Sequence, residues 1–430
     1  MVDVPDAADD NSQAPDSELP ADQTDPWTPP ARATAVTVAE HPALTEFRAR
    51  TRRASTIYAG VLVVILIVAF ALVKLAYAHG ELNKVSFTTA PSIAPPDGRT
   101  PSASLKLVWH NDETPAGGNP YDDGIVVTYQ GHTVNGRDAS TGAVRWHYTR
   151  SDETLCSVLQ QDSSTIAIYR RGQNCDEVTG FVTATGEPKY YRTLKDDGTT
   201  DTTSLSNVVM TVGSTFVHEF DNAGGVDRWD WDAPSGCTVG RALAGDLGTL
   251  ISLDCNGKHQ LVLRDLYQNT TKFTVDTPTA MVPLTSSAFI GALEPSTGRV
   301  YNYSPKDGTA TLAEKLDNLP ASGYPRAAAS LSTTDATQQQ IEFVVVGKLI
   351  VFSPDGSVRW SADAIGQPAL VTDAFVAVRT QTGPVVLHRV DAGQVQLTSN
   401  VAPVPDLLDQ RISSVGTGLL FAGSGVSLYR

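Results

Sequence analysis

Short stretches of alternating apolar and polar residues recur with the same layout beyond residue 105 of this chain. Residues 127–148, 215–231 and 346–362 each read as a short alternating strand, a tight turn and a second strand that ends near a tryptophan. Alternation over a few residues is typical of a strand with one buried face. A unit that recurs in this way determines the whole architecture, and this one predicts a repeated β-sheet.

The last strand of each repeat serves as a marker, because it carries a large apolar residue soon after the turn. The markers recur roughly every 40 residues, which is typical of propeller blades built from four strands. The sequence therefore predicts an all-β fold, with a single β-propeller of about eight four-stranded blades, or alternatively seven, over residues 105–430. The anchor residues of the markers are Trp109, Trp146, Tyr190, Trp229, Phe273, Leu312, Trp360 and Leu397.

The two ends of the repeated region complement each other. The first marker, residues 105–110, has no repeat in front of it, and residues 418–430 read as two strands that lack an outer partner. Pairing these segments would protect sheet edges that otherwise promote aggregation. We therefore expect residues 105–110 to form the outer strand of the last sheet.

The four cysteines form two similarly spaced pairs, and each pair encloses a strand, a turn and a second strand. Four cysteines allow three pairings. The parallel layout favours disulfides Cys156–Cys175 and Cys237–Cys255, each within one repeat. A zinc site is disfavoured, because the closely spaced cysteine pairs of such sites are missing.

Residues 57–77 form an apolar run in which Lys74 is the one charged residue. Roughly 20 apolar residues cross a bilayer as a helix, so the run predicts a transmembrane helix over residues 55–78. The preceding basic cluster consists of Arg48, Arg50, Arg52 and Arg53. Because basic flanks stay inside, the prediction is a single-pass plasma-membrane protein with a cytoplasmic N-terminus and an extracytoplasmic propeller.

The segments beside this run have compositions of their own. Residues 1–54 are acidic, with little apolar periodicity before the basic cluster, and predict a disordered cytoplasmic tail. Residues 79–104 are rich in proline, serine and threonine and predict an extracytoplasmic linker. A cleaved signal peptide is the alternative to an anchor, because residues 76–78 read as a small-x-small cleavage site.

The net charge of −15 narrows the range of partners. A strongly acidic chain argues against nucleic acid as a partner. It argues equally against docking onto anionic lipid by surface charge.

Residues 131–146 carry the phrase G-x-x-V-x-x-x-D-A-x-T-G-x-x-x-W, and residues 347–360 are a looser copy. The phrase resembles the repeat of quinoprotein-like (PQQ-type) β-propellers. The whole chain resembles single-span actinobacterial membrane proteins with such a propeller and no assigned activity. A hairpin turn needs positive φ and a wedge between blades needs a large ring, so these residues are expected to be structural. They are Trp109, Gly142, Trp146, Trp229, Gly356 and Trp360.

Quinoprotein dehydrogenases share this repeat, and the resemblance implies a quinone, Ca²⁺, an aspartate base and an adjacent cysteine pair for such enzymes. No adjacent cysteine pair occurs here, so we expect no enzymatic activity, no catalytic residue and no cofactor. The acidic pairs Asp122–Asp123 and Asp196–Asp197 are calcium candidates, because Ca²⁺ takes oxygen ligands. Acidic pairs beside glycine are more typical of solvated loops, so no metal site is predicted.

The function that fits best is a membrane-anchored protein-binding or scaffolding module at the cell envelope, with envelope or membrane proteins as partners. Propeller loops on a rigid scaffold commonly carry recognition. The family that the chain resembles includes a non-enzymatic propeller lipoprotein of the outer-membrane barrel assembly machinery. A propeller that senses a small molecule or glycan is the alternative, and a degenerate quinoprotein dehydrogenase is the third. The sequence predicts no oligomeric state.

Overall fold

A computed structural model of the chain describes two compact units, which divide after Lys74. The described residues are 58–74, 84–96, 99–119, 121–194, 199–205, 207–316, 329–334, 340–346, 348–372, 374–380, 383–402 and 411–430. The predicted tail, the proposed cleavage site at residues 76–78 and the acidic pair Asp196–Asp197 lie outside them.

The first unit contains a helix over residues 58–74. No helix among the described residues is long and apolar enough to cross a membrane. This helix has 17 residues, so it extends for about 25 Å, whereas a hydrocarbon core is about 30 Å thick. The predicted placement as a single-pass plasma-membrane protein is therefore wrong.

The second unit is built from strands. In chain order they are β1 (Val85–Thr88), β2 (Ser104–Asn111), β3 (Thr114–Pro115), β4 (Gly117–Gly118), β5 (Ile125–Gln130), β6 (Thr133–Asp138), β7 (Val144–Arg150), β8 (Thr154–Gln161), β9 (Ser164–Arg171), β10 (Asn174–Val182), β11 (Pro188–Thr193), β12 (Thr199–Leu205), β13 (Val208–Gly213), β14 (Phe216–Asp221), β15 (Asp227–Asp232), β16 (Cys237–Gly245) and β17 (Gly248–Cys255). They continue with β18 (Lys258–Arg264), β19 (Thr271–Thr277), β20 (Val282–Thr285), β21 (Ile290–Glu294), β22 (Arg299–Tyr303), β23 (Ala310–Lys315), β24 (Ala329–Thr334), β25 (Gln340–Val345), β26 (Leu349–Phe352), β27 (Val358–Ala362), β28 (Ile365–Thr372), β29 (Phe375–Arg379), β30 (Val385–Arg389), β31 (Val395–Ala402), β32 (Arg411–Val415), β33 (Gly418–Ala422) and β34 (Val426–Tyr429).

These strands form consecutive, mostly antiparallel sheets. We call them sheet 1 (order β1-β7-β6-β5-β3), sheet 2 (β11-β10-β9-β8-β4), sheet 3 (β12 to β15), sheet 4 (β16 to β19), sheet 5 (β20 to β23) and sheet 6 (β24 to β27). The remaining strands combine two four-stranded halves, sheet 7 (β28 to β31) and sheet 8 (β32-β33-β34-β2), which short parallel pairings connect. The prediction of an all-β propeller is confirmed by this arrangement.

The burial of each strand reflects its place in its sheet. The second strands β9 and β13 are mostly apolar and are buried over six consecutive residues, because neighbouring sheets cover both of their faces. The outer strand β11 alternates between half-buried and exposed residues, as expected for a strand with one covered face. The apolar runs that stand between the markers are therefore the cores of the sheets.

Buried apolar side chains gather in clusters, each of which lies between two consecutive sheets. Between sheets 1 and 2, Tyr148 and Phe181 meet edge to face with their ring centroids 4.8 Å apart. Between sheets 8 and 1, Val126 packs with Leu420 and Leu428. The sheets therefore form a closed ring in which every sheet buries both faces against its neighbours.

Strand β2 closes the ring from the N-terminal side, as the sequence predicts. It runs antiparallel to β34, with Leu107 opposite Tyr429 and Asn111 opposite Val426. The last sheet thus takes three strands from the C-terminal end of the chain and its outer strand from residues 104–111. Without β2, the edge of β34 would have no partner.

The segment predicted as a linker contains a strand. Residues 85–88 form β1, which adds to the outer edge of sheet 1 with Val85 opposite Arg150 and Thr88 opposite His147. Val85 and Phe87 alternate with polar residues, which is the pattern of a strand. The proline-rich composition that follows conceals this signal, so the sequence favours a linker.

The predicted disulfides Cys156–Cys175 and Cys237–Cys255 are both confirmed. The first joins β8 to β10, whose cysteines lie where the register of each strand shifts against β9. The second joins residues that face each other directly in β16 and β17. Each bridge staples strands within one sheet and limits the freedom of the unfolded chain.

Deleting Ser104–His110 should leave the edge of β34 open and expose the apolar cluster between sheets 8 and 1. We expect the melting temperature of the second unit to fall by at least about 10 °C, since more than one buried residue loses its cover. Deleting Val85–Thr88 is the control, because β1 only adds to an outer edge. Equal melting temperatures for the first variant and the parent would contradict the closure.

Candidate partner-binding face

One end of the ring collects two kinds of connection from every sheet. Because neighbouring strands are antiparallel, the loop from first to second strand and the turn from third to fourth strand emerge at the same end. We call this end the turn face and the opposite end the loop face. Both disulfides lie near the loop face, at the start of a first strand and beside the hairpin between second and third strands.

Several of the third-to-fourth-strand turns are held by an aspartate. In sheet 1, Asp138 Oδ1 accepts hydrogen bonds from the backbone N–H groups of Ser140 and Thr141 at 2.9 and 3.0 Å. In sheet 6, Asp355 Oδ1 accepts the N–H of Ser357 at 2.9 Å. These turns are built by local hydrogen bonds of the kind that aspartate provides.

The glycine of each regular turn receives an aromatic ring from the preceding sheet. Trp146 is fully buried and donates its indole N–H to the carbonyl of Thr183 at 2.9 Å. A Cβ at Gly186 would lie 2.5 Å from the Trp146 ring, and φ there is +73°. Trp109 makes the same contact with Gly142 and donates to the carbonyl of Ala139 at 3.0 Å.

Further wedges repeat this contact with other rings. The pairs are Tyr190 with Gly225, Phe273 with Gly308 and Trp360 with Gly393. Glycine is required because the turn has positive φ and a side chain would enter the ring of the neighbour.

Two of the predicted structural positions are placed differently from the regular pattern. Gly356 has φ of +77°, but the side chain that approaches it is Asn302, which donates to the carbonyl of Asp355 at 2.7 Å. The anchor Leu312 is 58% exposed. Asn302 lies on the third strand of sheet 5, and Leu312 lies on the fourth. The markers come from the fourth strands, so they do not include the residue that contacts Gly356.

A basic residue precedes the anchor aromatic in five of the outer strands, where a bulge shifts the strand register. We call these residues the bulge cations: Arg145, Lys189, Arg228, Lys272 and Arg359. They lie beside the turn face, where the outer strands begin. Sequence reasoning missed them, although the pairs Arg-Trp, Lys-Tyr and Lys-Phe recur visibly in the markers.

The bulge cations of sheets 2, 4 and 6 contact polar groups of their own sheet. Lys189 donates to Ser164 Oγ at 2.8 Å, and Arg359 donates to Ser353 Oγ at 2.9 Å. Lys272 donates to the carbonyl of Leu247 at 2.8 Å. These three cations therefore tie loops to their sheet.

The bulge cation of sheet 1 instead holds an extended segment of the chain. We call residues 89–96 the strap. Arg145 Nη2 donates to the carbonyl of Pro91 at 2.8 Å, and the N–H of Ala90 donates to the carbonyl of Thr185 at 3.0 Å. Ile93 packs against the cluster between sheets 1 and 2 and lies next to Gly124. The turn face thus holds an extended segment of the same chain.

The wedge between sheets 3 and 4 departs from the pattern, because the turn at residues 265–270 contains no glycine. Trp229 is buried, and its Nε1 has no hydrogen-bond partner among the described residues. The Arg264 guanidinium lies 5.1 Å from the Trp229 ring centroid and 5.6 Å from that of Trp231. A cation therefore covers the ring where other wedges place a turn.

Glu219 lies fully buried in this same wedge, opposite Trp229 in the sheet. Burial raises the pKa of its carboxyl to about 8, and the Thr249 hydroxyl, Arg228 and Arg264 oppose this shift. Burial also lowers the pKa of Arg264, which the charge of Glu219 opposes. Removing a carboxylate from water costs more than these partners return.

The acidic pair Asp122–Asp123 lies in the first loop of sheet 1. Asp122 Oδ2 accepts the N–H of Ser163 at 2.5 Å. Burial raises the pKa of Asp122, and the charges of Asp123 and Asp162 add to the shift. Within the described ranges, no three acidic, histidine or cysteine residues are grouped as metal ligands. The pair joins the loops of sheets 1 and 2.

No protein-family model matches the sequence, and no curated protein matches it either. A designed protein, Ika8, is similar in structure at 12% identity and a TM-score of 0.52, over 76% of this chain and 99% of that chain. At this identity the similarity concerns the fold alone. Membership of the quinoprotein-like repeat family stays a prediction.

Two natural proteins are similar at lower scores. BamB from Moraxella catarrhalis has 15% identity and a TM-score of 0.42, over 76% of this chain and 99% of that chain. The C-terminal WD40 domain of Sif2 has 10% identity and a TM-score of 0.48, over 77% and 99% respectively.

Replacing Glu219→Gln should change how stability depends on pH. The folded protein holds the Glu219 proton up to about pH 8, whereas the unfolded chain releases it near 4.5. The free energy of unfolding of the parent therefore falls between these pH values, relative to the variant. Between pH 4.5 and 8.5 the free energy of unfolding of the parent should fall by roughly 2 kcal/mol or more relative to that of the variant in denaturant titrations.

Glu113→Gln is the control with the opposite sign. Partial burial opposes ionisation of Glu113, but hydrogen bonds from Thr128, Arg137 and Asn135 and the charge of Arg137 lower its pKa. The ionised Glu113 therefore adds to the free energy of unfolding above pH 4.5, the usual pKa of a glutamate, and this stabilisation is lost as the pH falls. The variant lacks it and is destabilised at neutral pH. Parallel pH profiles for the parent and Glu219→Gln would contradict the assignment.

Proposed function

We propose that the second unit is an eight-bladed propeller that acts as a protein-interaction module and binds extended segments of partner proteins on its turn face. The bound strap is the observation that carries this proposal, since the turn face holds it through main-chain and arginine hydrogen bonds. Loops and turns on a rigid scaffold are common recognition surfaces.

Eight blades are favoured over seven by the apolar clusters. Each pair of consecutive sheets encloses a cluster, and the series returns from sheet 8 to sheet 1. Each sheet then corresponds to one blade of four strands, with β1 added at the outer edge of sheet 1 and β4 added beside β8 in sheet 2. The eight predicted markers supply the outer strands of these blades.

Main-chain recognition is supported by the chemistry of the bulge cations. Arginine and lysine are donors without acceptors, so they suit the carbonyl groups of an extended peptide. The strap illustrates this with the carbonyl of Pro91. No feature of the described residues favours a small molecule or glycan. We also propose that the chain is not an enzyme. Dye reduction by the purified protein that depends on added quinone and Ca²⁺ would contradict this.

Site-specific crosslinking tests the proposed face. A photoreactive phenylalanine analogue replaces exposed turn-face residues Thr141, Lys306 or Ala392, and replaces loop-face residues Gln173 or Lys258 as matched controls. We expect a discrete crosslinked protein from turn-face positions in the cells that produce the chain. That protein, once purified, should bind the unmodified chain saturably. Crosslinks from the loop face alone, or from neither face, would contradict the proposal.

A further inference from the structure

Arg145 and Arg228 occupy equivalent positions in sheets 1 and 3. Each is the bulged residue before the wedge tryptophan. Arg228 lies against Tyr267 of the following turn, and Arg145 binds the strap, which also bonds to the following turn. We call the groove beside Arg145 groove 1/2 and the groove beside Arg228 groove 3/4. The two grooves can therefore be compared directly.

Groove 1/2 is occupied by the strap. Thr185 in the turn of sheet 2 accepts the N–H of Ala90, and Arg145 donates to the carbonyl of Pro91. One residue of the strap thus bonds to the turn and the next to the bulge cation. Ile93 then enters the apolar space beside Gly124.

Groove 3/4 has an arginine at the equivalent position, Arg228, but no described segment lies on it as the strap lies on groove 1/2. Arg228 is the one bulge cation that donates no hydrogen bond within the described part of the chain. Its guanidinium lies 4.8 Å from the ring centroid of Tyr267, which belongs to the turn of sheet 4. Tyr267 is 66% exposed, and Val226, two residues before Arg228 in the sequence, is 65% exposed. This surface therefore combines an arginine that has no hydrogen-bond partner among the described residues with two exposed side chains, Tyr267 and Val226.

We propose that groove 3/4 binds an extended, proline-containing segment of a partner protein in the manner in which groove 1/2 binds the strap. Arg228 donates to a main-chain carbonyl of that segment, and Tyr267 and Val226 pack against its prolines. The proposal rests on the proposed function and specifies one site for it.

Proline suits this groove for two reasons. It has no N–H, so it can lie against the apolar surfaces of Tyr267 and Val226 without burying an unpaired donor. Proline-rich segments are also extended before binding, and they dock in aromatic-lined grooves at a low cost in entropy. The strap has the same chemistry, with prolines at positions 91, 95 and 96.

A peptide with the sequence of residues 89–97, TAPSIAPPD, is the probe, acetylated and labelled with fluorescein. Fluorescence polarisation measures its binding to the full chain. We expect saturable binding that weakens at least tenfold with Arg228→Ala and with Tyr267→Ala. A peptide whose prolines are replaced by alanine should bind at least tenfold more weakly to the unmodified chain.

Arg359→Ala is the matched control, because Arg359 is the equivalent cation of sheet 6 and donates to Ser353. We expect it to bind the peptide like the parent, and circular dichroism melts establish that all variants fold. No saturable binding, or equal weakening by Arg359→Ala and Arg228→Ala, would overturn the site. The crosslinking from Thr141, Lys306 and Ala392 does not involve this groove, so the proposed function could survive that result.

Discussion

The propeller depends on one recurring contact, in which an aromatic ring of one sheet lies against the turn glycine of the next. At Trp146 and Gly186, the indole N–H also donates to a turn carbonyl. A single sheet of four strands cannot bury both of its faces, and this contact fixes how neighbouring sheets meet. Trp109 of β2 makes the same contact with Gly142 and thereby connects sheet 8 to sheet 1. Strand β2 is therefore required to close the ring.

One departure from this contact coincides with unusual chemistry. Where the turn of sheet 4 has no glycine, Trp229 meets Arg264 instead, and Glu219 is buried beside them with a raised pKa. The same wedge leaves Arg228 and Tyr267 available on the turn face. The wedge between sheets 3 and 4 thus combines a buried carboxylate with an exposed aromatic side chain on the turn face, so a binding function can vary there without loss of the ring-glycine contacts of the regular wedges.

The sequence predicted the repeat, the closure by residues 105–110 and both disulfides, because each leaves a local pattern. It predicted a transmembrane helix from the apolar run at residues 57–77, but no helix among the described residues is long and apolar enough to cross a membrane. It could not place the strap, whose partners are distant in the sequence and whose composition is typical of a linker. The burial of Glu219 likewise depends on which sheets become neighbours, and no local pattern reports that.

The most direct test of this account compares two glycines with similar backbone conformations. Gly186 and Gly172 have φ of +73° and +66°, but a Cβ would meet the Trp146 ring at the first and nothing within 4 Å at the second. Chemical denaturation of Gly186→Ala and Gly172→Ala therefore separates the ring contact from backbone strain. We expect Gly186→Ala to lose at least about 2 kcal/mol more unfolding free energy than Gly172→Ala. Equal losses for the two variants would contradict the central role of the contact.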